Sequence, residues 1–183
     1  MIKIRVFIAI EIPEAIKDYL IKVQKVIREN SGGGNFIAKE NIHLTLRFIG
    51  ETKDCELNKL KKALDRVALN QEDFEIHLEK LGLFSRGNKG IIWVGVHKSH
   101  MLEKLHSDLE LALEEEGYSK EGRSFVPHIT LGRQIRLTKE FEKIKEEVRI
   151  DNRAMLVDKI SLMKSTRVNN ILRYIPVYTK EFD

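Results

Sequence analysis

Sulfur chemistry is nearly absent from this chain. Its 183 residues hold one cysteine, Cys55, which excludes an intramolecular disulfide and any Cys-rich zinc or iron–sulfur site. Cys55 itself stands among charges with no histidine in a nucleophile-like arrangement, so it reads as incidental. No apolar run approaches the ~20 residues needed to span a bilayer. The opening stretch MIKIRVFIAIEIPEAIKDYL is too short in its apolar part, and charged too soon, for a signal peptide. The expectation is a soluble, cytoplasmic chain with no membrane partner. Metal-ligand spacings such as HExxH are missing, and His77, His97, His100 and His106 read as surface residues. Gly32-Gly33-Gly34 has no following Lys-Ser/Thr and ends a helix, so it reads as a flexible connector and not as a phosphate loop. Net charge is also modest: 32 basic against 28 acidic residues leave +4. That excess permits an anionic partner without requiring one. The 42% hydrophobic content is enough for a packed interior, and the length for one domain or two small lobes sharing a core.

Periodicity supplies the organisation. Ile2, Ile4, Val6, Ile8, Ile10 and Ile12 alternate as in a half-buried strand. Pro13 suits a first helical turn, where its missing N–H would be unpaired anyway. Ile16, Leu20, Val23 and Ile27 follow at helical spacing. Residues 41–50 alternate again, with Ile42, Leu44, Leu46 and Phe48 on one face and His43, Thr45 and Arg47 on the other. Leu57 to Val67 reads as a helix and Phe74-Ile76-Leu78 as a strand. After a turn at 85–90 the series restarts. A strand covers 91–97, and a helix capped by Ser99 runs on to end near Gly117. A strand at 124–133, a helix over 138–148 and a strand at 156–162 follow. Residues 166–170 read as a hairpin loop before a last strand, 171–178, whose Pro176 points to an edge. Strand–helix–strand–helix–strand thus occurs twice. The expected fold is α+β and bilobal: a single domain, 1–183, made of two pseudo-symmetric lobes by internal duplication (approximately 1–84 and 90–183). Each lobe has an antiparallel-rich sheet with helices outside, and a cleft lies between them.

Each second strand carries the same tetrad, His43-Leu44-Thr45-Leu46 and His128-Ile129-Thr130-Leu131. On a strand, residues i and i+2 share a face, so each tetrad presents one imidazole and one hydroxyl together while its aliphatic side chains anchor the core. Two histidines, one neutral and one protonated, can serve as base and acid in one in-line displacement at phosphorus. A threonine hydroxyl can donate to a phosphoryl oxygen, so no metal or other cofactor is required if hydrogen bonds and cations hold the phosphate charge. Sequence chemistry leaves open which histidine is acid and which is base. The reading does predict a bell-shaped pH–rate profile around neutrality. Arg123 and Arg133 are candidates to bind the phosphate. Arg133 lies five positions from His128, so ideal alternation puts it on the opposite face unless a bulge at Gly132 re-aims it. Phe7, Phe48 and Trp93 are either base-stacking platforms or core.

The stretches Arg5-Val6-Phe7-Ile8-Ala9-Ile10, Asn41 to Gly50 and Arg123 to Arg133 resemble the RNA 2′,3′-cyclic phosphodiesterase (2′-5′ RNA ligase) family of the two-histidine phosphoesterases. The likeness runs essentially end to end, with both tetrads intact. The resemblance implies a hydrolase that opens a terminal 2′,3′-cyclic phosphate of RNA to a 2′-phosphomonoester. His43 would be the proton donor, His128 the proton acceptor, Thr45 and Thr130 phosphate contacts, and the chain a monomer. Some members of the family join tRNA halves through a 2′-5′ linkage. A ligase, a small-nucleotide phosphodiesterase and a non-catalytic RNA- or nucleotide-binding module are the competing readings. If Arg47, Arg86, Lys89, Arg123, Arg133 and Arg167 gather around the two histidines, the charge excess is a phosphate footprint.

Overall fold

A computed structural model describes residues 3–183. Its elements are β1 (Lys3–Glu11), α1 (Glu14–Glu29), β2 (Asn35–Phe36), β3 (His43–Lys53), α2 (Leu57–Ala68), β4 (Phe74–Arg86), β5 (Lys89–Val96), α3 (His100–Glu115), β6 (His128–Ile135), α4 (Phe141–Glu147), β7 (Ala154–Val157), β8 (Lys159–Val168) and β9 (Ile171–Glu181). The strands form one antiparallel path, β7-β4-β5-β6-β3-β1-β8-β9, with β2 also pairing to β6. The class is α+β, as expected.

The two tetrad strands meet at the middle of this path through one pair, Leu44 opposite Ile129. Reading outward from it, β1 on one side corresponds to β5 on the other, and β8 corresponds to β4. The third strand of each sequence half therefore lies among the strands of the other half. The spatial halves of the sheet are not the sequence halves 1–84 and 90–183. The stretch read as one strand at 156–162 divides at Asp158: β7 pairs with β4 and β8 with β1. This single run of chain ties the two ends of the path together.

Helices cover one face only. Ile16, Leu20, Val23 and Ile27 of α1, with the apolar stripes of α2 and α3, join Val6, Ile8, Leu44, Leu46, Ile129 and Leu131 in one core. Each such side chain contributes roughly 1.5–3 kcal/mol of burial free energy. Phe7, Ala9 and Met163, with Tyr174 against them, form a separate small cluster on the opposite, helix-free face. Ser99 caps α3 by accepting the Leu102 N–H at 3.2 Å. The last hairpin turns on Asn169 and Asn170, both at positive φ, a two-residue turn shorter than the 166–170 loop. Pro176 sits on edge strand β9, where the register against β8 shifts. The triple-glycine segment is not a loose connector. The Gly32 N–H donates to the Arg136 carbonyl and the Arg136 N–H to the Gly33 carbonyl, at 2.8 and 2.9 Å.

Both tetrad strands are bulged at the same place. In β3, Thr45 faces Ala9 and Arg47 faces Ile8, leaving Leu46 as an extra residue. In β6, Thr130 faces Trp93 and Gly132 faces Ile92, leaving Leu131 extra. A bulge inverts the parity of the residues beyond it until the next bulge, and each strand has a second one further on. The Leu131 carbonyl is held by the Ile37 N–H and by the Gln24 amide, each at 2.9 Å, and Gln24 also donates to the Ile37 carbonyl at 2.8 Å. Gln24→Leu removes both side-chain donors from a site where Gln24 is 5% exposed. The expected cost is about 1–3 kcal/mol, read as a lower midpoint in urea unfolding with unchanged m.

Candidate active site

The helix-free face gathers both tetrads. Counting outward from the Leu44–Ile129 pair, His43 stands level with Thr130 and Thr45 level with His128. The two imidazoles are therefore carried by diagonal neighbours of the two strands. Each ring is oriented in the same way. His43 Nδ1 lies 2.7 Å from the Asn41 carbonyl, and His128 Nδ1 lies 2.6 Å from the Val126 carbonyl. A carbonyl only accepts, so Nδ1 carries a hydrogen in both rings and Nε2 is the atom left for chemistry. His43 Nε2 is 2.9 Å from Thr45 Oγ1, and the hydroxyl donates to it while the ring is neutral.

Aromatic rings back each histidine. Phe7 and Tyr174 lie 4.8 and 5.1 Å from His43, ring centre to ring centre. Phe84 and Trp93 lie 5.4 and 5.7 Å from His128. Asn41 adds a clasp, because its side chain donates to the Leu172 carbonyl and accepts the Tyr174 N–H at 2.9 and 3.0 Å. Edge strand β9 is thereby fastened over His43. Gly82 leaves room for Trp93, since a Cβ built there would overlap the indole ring. Gly82→Ala pushes the ring toward His128 or strains the hairpin. A destabilisation of about 1–3 kcal/mol is expected, with a fall in kcat and little change in KM, measured by thermal melting and steady-state kinetics.

Burial drives the His43 imidazole down to about 4. The Asn41 carbonyl opposes this, while the charges of Arg133, His128 and Lys17 add to it. His128 is also lowered, first by burial, with the Val126 carbonyl opposing and Arg133 adding. One guanidinium, Arg133, thus acts on both rings.

A cavity of about 450 Å³ opens beside this pair, lined among others by Thr45, Phe48, Phe84, Arg123, His128 and Arg133. The bulge at Leu131 and Gly132 turns Arg133 onto the histidine face, against ideal alternation. The bulge at Leu46 does the reverse to Arg47. It pairs with buried Ile8 and reaches Glu110 of α3 at 2.8 and 2.9 Å instead of joining His43 and Thr45. Arg47 also donates to the Ser119 carbonyl, and Glu110 accepts the Glu121 N–H at 2.9 Å. This ion pair holds the loop that carries Arg123 and leads into β6. His106 is not a surface residue: it stacks on Phe125 of that loop at 4.0 Å. No spacing in the sequence marked this network. Phe48 is 56% exposed and faces the cavity, whereas Phe7 is 2% exposed. Phe7 therefore supports His43 and cannot stack on a base. Trp93 at 9% is likewise packing. Of the cations proposed as a footprint, Arg47, Arg86, Arg123 and Arg133 line this cavity. Lys89 adjoins it beside Arg86 and Arg133. Arg167 lines a different one.

Among the described residues, no three His, Cys, Asp or Glu side chains are grouped as a metal site, and no helix is long and apolar enough to cross a membrane. A family model for the 2′-5′ RNA ligase superfamily matches residues 13–169. The RNA 2′,3′-cyclic phosphodiesterase of Thermotoga maritima is 29% identical over 180 residues, covering 98% of this chain and 96% of that protein. Its counterpart from Methanocaldococcus jannaschii is 32% identical over 171 residues, covering 91% and 94%. Among solved structures, Escherichia coli LigT complexed with 3′-AMP superposes with a TM-score of 0.80 at 26% identity, covering 99% of both chains. With a family model spanning most of its length and relatives matched nearly end to end, this chain belongs to the 2′-5′ RNA ligase superfamily.

Proposed function

We propose that this protein hydrolyses the 2′,3′-cyclic phosphodiester at an RNA end to a 2′-phosphomonoester, without a metal, using His43 as acid and His128 as base. The observation that carries the reading is the pair of carbonyl-oriented imidazoles with Arg133 acting on both. The names of the relatives, which are RNA 2′,3′-cyclic phosphodiesterases, support the substrate class.

In the proposed step, His128 Nε2 removes a proton from water as the water oxygen bonds to phosphorus. The bond from phosphorus to O3′ breaks, and His43 Nε2–H delivers its proton to that oxygen. The products are a 2′-phosphate and a free 3′-hydroxyl. Once His43 is protonated, its Nε2 no longer accepts from Thr45 and its Nε2–H points to O3′, which frees the threonine O–H to turn toward a phosphoryl oxygen. Thr130 and Arg133 hold the remaining phosphate charge, Arg123 stands at the rim, and exposed Phe48 offers a face to the terminal base. A ribose 5′-hydroxyl in place of water would turn the same step into formation of a 2′-5′ linkage.

Mass analysis of RNA ending in a 2′,3′-cyclic phosphate, incubated with and without a 5′-hydroxyl strand, tests this. The expected product is the 2′-phosphate, unaffected by EDTA. Exclusive 3′-phosphate, or loss of activity on chelation, would overturn the proposed mechanism. Binding without any turnover would favour a non-catalytic module.

A further inference from the structure

A second cavity, about 660 Å³, lies along β1, β8 and β9 and shares the helix-free face. Its walls include Lys3, Arg5, Lys164 and Arg167 against one carboxylate, Glu51. Four cations facing one anion make a local excess close to that of the entire chain, which is +4. Glu51 is engaged by Arg5 at 3.1 Å. Among the described residues, Lys3, Lys164 and Arg167 have no carboxylate partner, and Arg167 donates only to the Asn170 carbonyl.

Register explains why three of these cations, Lys3, Arg5 and Arg167, face the site, whereas Lys164 pairs with buried Val6 and reaches the cavity from the other face. Lys3, Arg5 and Phe7 are alternate residues of β1, about 6.7 Å apart, and Phe7 is the ring beneath His43. Across the ladders Arg5 pairs with Ser165, and Ser165 with Tyr174. Arg167 lies two residues beyond Ser165 on the same face. Tyr174 belongs to the wall of this cavity and also stands edge-on to His43. The cation row thus begins where the histidine site ends: Phe48 lies opposite Phe7, between the two cavities, and Arg123 and Arg133 line the other one. A mononucleotide end, whose single phosphate sits at the histidines, has no use for it. A chain of evenly spaced anions leading to the reacting phosphate does.

We propose that this cavity is a track for the backbone phosphates of the RNA preceding its cyclic end. The proposal rests on the RNA-end reading above and assigns the polynucleotide a direction: terminal base toward Phe48, preceding phosphates over Tyr174 toward Arg5, Arg167 and Lys3. The phosphate charge, and not the base sequence, is what such a surface recognises.

The experiment compares Lys3→Glu/Arg167→Glu with the wild type on two substrates, a 2′,3′-cyclic mononucleotide and a single-stranded RNA of about a dozen nucleotides with the same end. The expected result is a loss of roughly tenfold or more in kcat/KM on the RNA. Its dependence on log salt should also flatten by roughly 1.4, about 0.7 for each cation removed from a single strand. Turnover of the mononucleotide should be unchanged, which also shows that the variant is folded. Equal effects on both substrates, or none on either, would overturn the track. Fluorescence anisotropy of the labelled RNA separates the two readings. If the wild type cleaves neither substrate, the catalytic reading fails, while weaker RNA binding by the variant still supports the track and unchanged binding removes it.

Discussion

His43→Ala and His128→Ala are each expected to lower kcat on cyclic-phosphate RNA by about 10²–10⁴-fold, the usual worth of a positioned acid or base. The double variant should be little worse than either single one, because in the proposed mechanism the two groups act in one proton-coupled step. Each ring projects from a strand whose neighbours, Leu44 and Ile129, are fully buried on the opposite face. The core therefore keeps its packing when the ring is removed. His43→Ala opens space between Phe7 and Tyr174 and should cost more stability than His128→Ala, whose ring is less deeply buried. Single-turnover kinetics with a thermal melt for each variant makes the check. Retention of wild-type kcat by either one would refute the two-histidine mechanism.

How far this site could be read from the sequence depends on where strand alternation holds. His and Thr two apart on each strand obey it, so both tetrads were legible together with the face they share. Immediately after each threonine it breaks. The extra residues Leu46 and Leu131 invert parity, sending Arg47 to the helices and bringing Arg133 to the histidines. Only Gly132 hinted at this, and no glycine marks the bulge at Leu46; Gly50, at positive φ, belongs to a second bulge at Ile49. The ladders align Ala9 with Trp93, each opposite its threonine. Small Ala9 leaves that position open, and Phe7 fills the space under His43 from one step further along. The exchange of β4 and β8 between the two sides of the sheet was also hidden. Periodicity states that a strand exists and which side is apolar, but not which neighbour it pairs with. The Arg47–Glu110 pair escaped notice because a buried ion pair 63 positions apart leaves no local pattern.

The pH dependence is where the structure changes the expectation most. A displacement needing one protonated and one neutral imidazole runs fastest midway between the two macroscopic pKa values of the pair, whichever ring holds the proton. Both rings are lowered from 6.5, His43 to about 4. The optimum of kcat/KM, which reports the free enzyme, is therefore expected below pH 6.5 and not around neutrality. Above both values the singly protonated pair becomes rarer with each step, so kcat/KM falls about tenfold per pH unit. Across the pH units above neutrality this reaches several orders of magnitude. Bound substrate alters the balance. The phosphodiester anion, seated between the rings, favours the charged imidazole and so raises its pKa, while Arg133 turns from repelling that proton to neutralising the phosphate. Binding should thus draw a proton from solution, and the alkaline limb of kcat should lie at higher pH than that of kcat/KM. Calorimetric titration with dimethyl phosphate, a phosphodiester anion with no ionisation of its own in this range, in two buffers of different ionisation enthalpy measures the proton uptake. Affinity should rise as pH is lowered from neutrality toward 5. Arg133→Gln should raise both histidine pKa values, moving the kcat/KM profile toward neutrality while lowering its maximum. An optimum at or above neutrality in the wild type, with no proton taken up on dimethyl phosphate binding, would show that neither buried ring is held neutral in the empty cleft.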